Sequence, residues 1–457
     1  MSALERIMGI EFLATKSEGV GGCLKKRWED FVVEEITPQK EIIRALGPNA
    51  EACGSNGECQ DECEGEGDFT VFTLERHAMY NTFEALERIA RGLGVGIKRL
   101  SYAGVKDKRA VTTQRVSAWR VEPERIKKLK IKGLYIRDVH RSRDAVRLGD
   151  LWGNHFRITI REINLEESEV EDRVRRVRRE IDELGGVPNF FGHQRFGLRR
   201  PLSHLVGIKL LKNEFREAAM IFLAKAYPME AEDAQRARNY LNETGDFAGA
   251  LERFPRRLSY ERVMLKHLSL HPNDVLGAFR RLPRGLLKMF IHSVQSYLFN
   301  RTLSLRYRCG LPLNRAVPGD IVTPLEKVSS DDWTLVTVEN VFEINEEVCS
   351  GRLCVSIPLI GYDSTLPEDR PGDLVKKVLR DEEIDPGMFR LRSIPEISSR
   401  GTPRPILLRI SDLEILEIGR DEYSENATKL TVSFSLPKGS YATVVLREFM
   451  KADPTKY

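Results

Sequence analysis

No stretch of this 457-residue chain approaches the roughly 20 consecutive apolar residues that a membrane helix needs. The opening residues, MSALERIMGIEFLATKSEG, carry Glu5 and Glu11 and hold no clean apolar run before a small-residue cleavage site, so no signal peptide is read. Cysteine is sparse, seven residues in all, and an odd number in a long chain does not suit a disulfide framework. Cys53, Cys59 and Cys63 lack the paired CxxC spacing of a zinc site and sit among acidic neighbours, so no metal is expected. Cys349 and Cys354 lie in a strand-like stretch and are expected to be small core residues. The chain also lacks a phosphate-cradling glycine loop, an internal repeat, and the clustered carboxylates of a metal-dependent nuclease. These absences describe a soluble, cytoplasmic protein that needs no cofactor and no membrane.

Charge of one sign is also in short supply, with a net of only +4. It is unevenly spread, however. Residues 51–68, EACGSNGECQDECEGEGD, hold seven acidic residues and no basic one, so the rest of the chain carries +11. That surplus suits a polyanionic partner. Segment 50–67 itself, rich in glycine and poor in apolar residues, is expected to be a disordered surface loop without a catalytic part.

Hydrophobic residues make up 41% and charged residues 31%, enough apolar material for real cores. A length of this kind implies two or three domains. DFVVEEI (30–36) and DFTVFTLER (68–76) read as strands. A helix is expected from about Thr82 to Gly94, with Asn81 as its N-cap, then a strand from near Val111, a short helix at Pro123–Leu129 and a strand around Leu134–Val139. In GNHFRITIREI (153–163), Phe156, Ile158 and Ile160 alternate with His155, Arg157 and Thr159, the pattern of a half-buried strand. Val170, Val174, Val177, Ile181 and Leu184 recur at helical spacing and stop before Gly185 and Gly186. Strands and helices mix without a parallel-sheet rhythm, so the class is α+β. The middle region is helical at first and richer in strand after Pro312, whereas KLTVSFSL and YATVVLREFMK return to strand and helix at the end. This arrangement suggests a domain interrupted by an insertion.

Among candidate chemical groups, SYAGVKDKRAVTTQR (101–115) stands out. Asp107 lies between Lys106 and Lys108 with Arg109 next, and Gly104 offers backbone freedom just before it. Cationic neighbours favour the ionised form of a carboxylate, and the ionised form is the nucleophile. A solvated turn of alternating charge has the same composition. Arg141, Arg143 and Arg147, and then Arg195, Arg199 and Arg200, are spaced to line a groove with positive charge, where phosphate contacts would position RNA.

AGVKDKRAVTTQ resembles the signature of the TruD family of tRNA pseudouridine synthases, in which the aspartate of a G-x-K-D-K-x-A-x-T run is catalytic. LKKRWEDFVVEE (24–35), RLGDLWGNHFRI (147–158), GGVPNFFGHQRFG (185–197), HSVQSYLFNRTLSLR (292–306) and LPKGSYATVVLREFMK (436–451) resemble the same family in the same order. The acidic segment 50–67 departs from it, and the length suggests a larger inserted domain than the shortest members have.

The resemblance implies a pseudouridine synthase catalytic domain, a mixed sheet with flanking helices, at 1–185 and 405–457. An inserted α+β TRUD domain is implied at 186–404, with a basic cleft for folded tRNA. It implies isomerisation of a uridine, at tRNA position 13, with Asp107 as the catalytic residue and no cofactor. Asp107 would either attack the nucleoside covalently or abstract a proton from the sugar. By position in the matching motifs, Lys25 resembles the basic partner of the nucleophile, and Phe31, Asn154 and Tyr441 resemble substrate-binding residues, with Phe156 as a packing neighbour. Extruding a base costs a few kcal/mol, and aromatic stacking returns roughly 1–3 kcal/mol per base. Asn154 offers both a donor and an acceptor. Where the family more often has Phe, this chain has Tyr441. PNFFGHQRFG reads as structural support and RNA contact rather than chemistry, with His193 as general base the minority reading. Arg143, Arg147, Arg195 and Arg199 are the phosphate contacts expected. The alternatives are an enzyme of the same fold acting on other RNA, and a catalytically silent RNA-binding or chaperone protein.

Overall fold

The computed structural model describes residues 2–46, 66–77, 80–325, 332–366 and 369–456. The chain forms two compact units. One contains Met1–Ala14 and Asp182–Leu408, the other Thr15–Ile181 and Arg409–Tyr457. The first 14 residues thus group with the middle of the chain, unlike the expected boundary at 1–185. Most of the acidic segment 50–67, including Cys53, Cys59 and Cys63, lies outside the described residues.

The second unit is built on a sheet whose strands are β1 (Phe31–Ile36), β2 (Phe69–His77), β3 (Leu100–Tyr102), β4 (Val111–Trp119), β5 (Leu134–Ser142), β6 (Gly153–Ile163), β7 (Ser411–Arg420) and β8 (Thr428–Pro437). Their order is β7-β8-β6-β1-β4-β2-β5, with β3 beside β4. β1 and β4 run parallel, and the other pairings are antiparallel. The sheet is therefore mixed.

Helix α1 (Thr82–Leu93) packs Leu86, Ile89 and Leu93 against Phe72, Leu74 and Val116. The helix starts where it does because the Asn81 side chain accepts from Glu84 N at 2.9 Å, while the Glu84 carboxylate accepts from Asn81 N at 2.8 Å. Gly94, with φ 64°, ends it in the left-handed region. Helix α2 (Glu167–Leu184) buries Val170, Val174, Val177 and Ile181, and helix α3 (Ala442–Met450) follows β8.

In the first unit, seven helices from Ser203–Leu211 to Arg284–Arg308 precede a four-stranded sheet of Thr402–Pro405, Leu353–Leu359, Ile321–Pro324 and Thr334–Leu335. Helices Val341–Ser350 and Asp369–Asp381 are interleaved with those strands. Helix Arg284–Arg308 is buried on nearly every side. Its Asn300 donates to the Met8 carbonyl at 2.9 Å, which ties the N-terminal segment to this unit. Cys354 is buried in its strand as expected, but Cys349 is exposed. The sequence around Cys349 is helical, and the residue falls on the helix's solvent side.

Candidate functional site

Asp107 lies in the connection between β3 and β4, anchored at both ends by the buried Ala103 and Ala110. Three side chains grip the backbone of this connection. Arg76 of β2, 1% exposed, donates to the carbonyl oxygens of Asp107 at 2.5 Å and Lys108 at 3.5 Å, and also to that of Tyr80. Thr82 Oγ1 accepts from Lys106 N at 3.0 Å, and Gln114 Nε2 donates to the Gly104 carbonyl at 3.5 Å. Burial pulls the Arg76 guanidinium down to about 10, so it stays charged at neutral pH. Gly104 does not occupy the left-handed region, and a Cβ there would meet nothing closer than 3.9 Å. The connection owes its shape to the hydrogen bonds, not to glycine freedom.

The cation that faces Asp107 comes from 82 residues away. Lys25 Nζ stands 3.2 Å from Asp107 Oδ1, with side-chain exposures of 16% and 29%. The nucleophile candidate is thus paired yet reachable from solvent. Lys25 itself holds φ 54°, a conformation a non-glycine residue adopts only where its surroundings enforce it. Its ammonium lies 4.1 Å above the Phe31 ring. Phe31 is 1% exposed and meets Phe156 edge-on at 6.3 Å. Phe156 in turn packs against Phe434 at 5.6 Å. The alternation that places Phe31, Phe156 and Phe434 on one face of the sheet thus makes an aromatic floor beneath Lys25.

Lys106 and Lys108, adjacent to Asp107 in sequence, turn elsewhere. Lys108 is exposed and 3.4 Å from Glu84. The Lys106 side chain is 2% exposed. It lies 3.0 Å from Glu35 Oε2, whose residue has no exposed side-chain surface, and donates to Asn154 Oδ1 at 2.8 Å. The Glu35 contact is an ion pair by distance and not an aligned hydrogen bond. Desolvation, partly offset by Glu35, lowers the Lys106 pKa. Arg115 completes the group, its N and Nε 3.2 and 3.4 Å from Glu35 Oε1. Register explains the meeting, since Asn154 opposes Glu35 across β6 and β1.

Asn154 is fixed from the other side as well. It opposes Leu436, and Gly153 opposes Pro437. A Cβ on Gly153 would lie 1.9 Å from the Leu436 carbonyl oxygen, so only glycine permits this approach. The turn after β8 then brings Tyr441, half-buried, to the N-cap of α3. Lys25, Phe31, Asp107, Asn154 and Tyr441 all belong to the second unit. Lys25 touches both Phe31 and Asp107, and Asn154 joins them through Lys106. Tyr441 follows the turn after β8, the strand whose end pairs with Gly153 and Asn154.

The expected phosphate contacts differ among themselves. Arg147 and Arg199 are exposed. Arg143 is exposed and pairs with Glu66 at 2.8 Å. Arg195 is half-buried, with its guanidinium 5.5 Å from the Phe191 ring. Arg141 pairs with Glu122. Arg200 does not line a surface. It is largely buried with Arg238, Glu230 and Glu261 in a closed set of two cations and two anions, and burial lowers it to about 10. PNFFGHQRFG is wired into its own unit. Phe191 N donates to Asn300 Oδ1 at 2.9 Å, Arg404 donates to Asn189 Oδ1 at 2.8 Å, and Ser293 donates to the Arg195 carbonyl at 2.8 Å.

Arg76, Glu35 and Arg115 carry the site's support and were absent from the sequence reading. An Arg or Glu inside a strand reads as solvent-facing, whereas Arg76 and Glu35 are buried and Arg115 is half-buried against Glu35. Among the described residues, no three His, Cys, Asp or Glu side chains gather to hold a metal ion, and no helix is long and apolar enough to cross a membrane.

Comparison with known proteins agrees across the chain. The family profile for tRNA pseudouridine synthase D (TruD) matches residues 7–449. A protein of Methanococcoides burtonii named a probable tRNA pseudouridine synthase D is 40% identical over 456 residues, 99% of this chain and 98% of that one. A Pyrococcus abyssi protein of the same name is 35% identical over 439 residues, 96% of this chain and 98% of that one. The crystal structure of a Methanosarcina mazei protein assigned as tRNA pseudouridine synthase D (TruD) superposes with a TM-score of 0.82 at 38% identity, covering all of both chains.

Proposed function

This chain belongs to the tRNA pseudouridine synthase D (TruD) family, a family of isomerases, and we propose that it converts the uridine at position 13 of tRNA to pseudouridine with Asp107 as nucleophile. The reaction breaks the bond between ribose C1′ and uracil N1, turns the base and joins C5 to C1′. The C5 proton leaves and N1 takes one up, so nothing is oxidised and no group donor enters. Asp107 either adds to the nucleoside or takes a proton from the ribose, and both routes start from the carboxylate.

The observation that carries the reading is the Lys25–Asp107 pair at 3.2 Å, within a chain matched to the family over residues 7–449. Lys25 stabilises the charge of the carboxylate, Phe31 supports Lys25 from below, and Arg76 fixes the Asp107 backbone. Asn154, its side chain oriented by Lys106, hydrogen-bonds the uracil or ribose edge. Tyr441 adds aromatic surface against the extruded base. Arg143, Arg147, Arg195 and Arg199 meet phosphates. The unit containing the eight-stranded sheet is then the catalytic domain and the unit centred on Asp182–Leu408 the inserted TRUD domain, working on tRNA in the cytoplasm.

The test is pseudouridine formation in unmodified tRNA transcripts, mapped by position, for the wild type beside Asp107→Asn. Product at position 13 from the wild type, with none from a variant that still binds tRNA, supports the assignment. Equal product from both removes Asp107 from the mechanism. Tight binding without product from either leaves an RNA-binding protein.

A further inference from the structure

Beside the Lys25–Asp107 pair lies a surface pocket of about 570 Å³ lined by Lys26, Arg27, Trp28, Glu29, Lys108 and Arg109. These residues directly follow Lys25 on one segment and Asp107 on the other, so the pocket adjoins the candidate nucleophile along both. We infer that it is a subsite for a nucleotide flanking the target uridine, with the phosphodiester on Lys108 and Arg109 and the base against Trp28. This inference rests on the reading of the site as one that acts on RNA, and it extends that reading to the neighbouring nucleotide.

Three observations carry it. The volume falls in the range of ligand pockets, roughly 300–1,000 Å³. The lining counts four cations against one carboxylate, and the cations are unequally committed. Arg27 is held by Glu29 at 3.0 Å and by the Tyr423 ring at 4.5 Å. Lys26 is held by Glu162 at 2.7 Å. Among the described residues, Lys108 has a loose exposed pair with Glu84 at 3.4 Å. Arg109, also exposed, spends one donor on the Lys26 carbonyl at 3.0 Å, which leaves most of its five N–H groups for a phosphate. The third observation is that Trp28 is rigidly presented. One side of its ring meets His77 at 5.1 Å. Its turn is pinned by Asp30, which accepts from Arg27 N at 2.8 Å and from the buried Arg161 at 2.7 Å. A half-buried tryptophan among cations is the combination that single-stranded nucleic acid sites use, where stacking tolerates any base and cations follow the backbone.

The experiment measures binding of an unmodified tRNA transcript by fluorescence anisotropy in the Asp107→Asn background over a range of salt, and turnover in the otherwise wild-type chain. Trp28→Ala is expected to weaken binding about 10-fold and Trp28→Phe much less, with kcat/KM falling in parallel. Lys108→Gln with Arg109→Gln is expected to lower the slope of log Kobs against log salt by about 1.4, roughly 0.7 for each charge facing a single strand. Wild-type affinity and salt slope in all these variants, while tRNA is bound and modified, would overturn the subsite and leave the proposed function standing. A wild-type chain that binds no tRNA would overturn both.

Discussion

Replacing Lys106 with Met removes an ammonium that is enclosed with Glu35 and leaves a carboxylate with no exposed side-chain surface. Breaking a buried pair by deleting one partner costs about 3–5 kcal/mol, because the other charge remains desolvated. Arg115 stays within 3.4 Å of Glu35 Oε1 and offsets part of this, so the low end, about 3 kcal/mol, is expected. Methionine fills the volume, and no large cavity term is added. For a unit of this size the loss lowers Tm by roughly 6–12 °C, at about 2–4 °C per kcal/mol.

Differential scanning calorimetry on the full-length wild type, Lys106→Met, Glu35→Gln and the double variant completes a thermodynamic cycle. The double variant removes both charges, so its destabilisation falls short of the sum of the singles by more than about 1 kcal/mol. Activity is not restored in the double variant, because Asn154 Oδ1 has lost its donor. A Lys106→Met chain within about 1 kcal/mol of wild type, or strictly additive singles, would refute the claim that this pair is a buried, coupled one.

Further tests address other links. Arg76→Lys keeps the charge but loses the fork that spans three carbonyl oxygens, so kcat falls on the order of 100-fold through misplacement of Asp107. Steady-state kinetics with tRNA transcripts check this, and an unchanged kcat refutes the clamp. Gly153→Ala forces β6 and β8 apart at the Leu436 carbonyl. It should cost about 1–3 kcal/mol and reduce turnover with it, read by melting and activity on the same preparation. His204 is buried against Phe196 and Tyr297, and burial pulls it down from 6.5 to about 4. Its folded pKa lies below the unfolded one, so its full stability is present above pH 6.5 and is lost as pH falls through 4. The loss reaches about 3 kcal/mol. His204→Phe should flatten that part of the stability–pH curve, and an unaltered slope would exclude His204 as its source.

Much of this architecture was legible in the sequence where one local rule decided the outcome. Asn81 and Glu84 announced the start of α1 and Gly94 its end, and the spacing of Val170, Val174, Val177 and Ile181 gave the buried stripe of α2. The alternation in 153–163 was legible too, although His155 and Arg161 are buried with their partners. What local rules missed was long-range register. Proximity in sequence suggested Lys106 as a companion of Asp107, whereas neighbouring side chains diverge and Lys106 reaches Glu35 and Asn154 instead. Lys25 was nameable only because a family pattern singled it out from Lys26 and Arg27. Arg76 gave no signal at all, since its role is to bond backbone oxygens that sequence does not display. Arg200 shows the converse error, in which a basic run read as surface charge contains a residue enclosed by two glutamates.

The order of β8-β6-β1 also bears on how the chain is made. β6 is complete at Ile163, but its partner β8 begins at Thr428, 265 residues later. At roughly 5–20 residues per second, a ribosome takes about 13–50 s to supply it. For that interval one edge of β6, carrying Asn154, has no strand to pair with. An unpaired edge is a template for aggregation. Slower synthesis of the intervening region, or any truncation before β8, lengthens that exposure, so yield of soluble enzyme should depend on translation speed as well as on the stability of the finished fold.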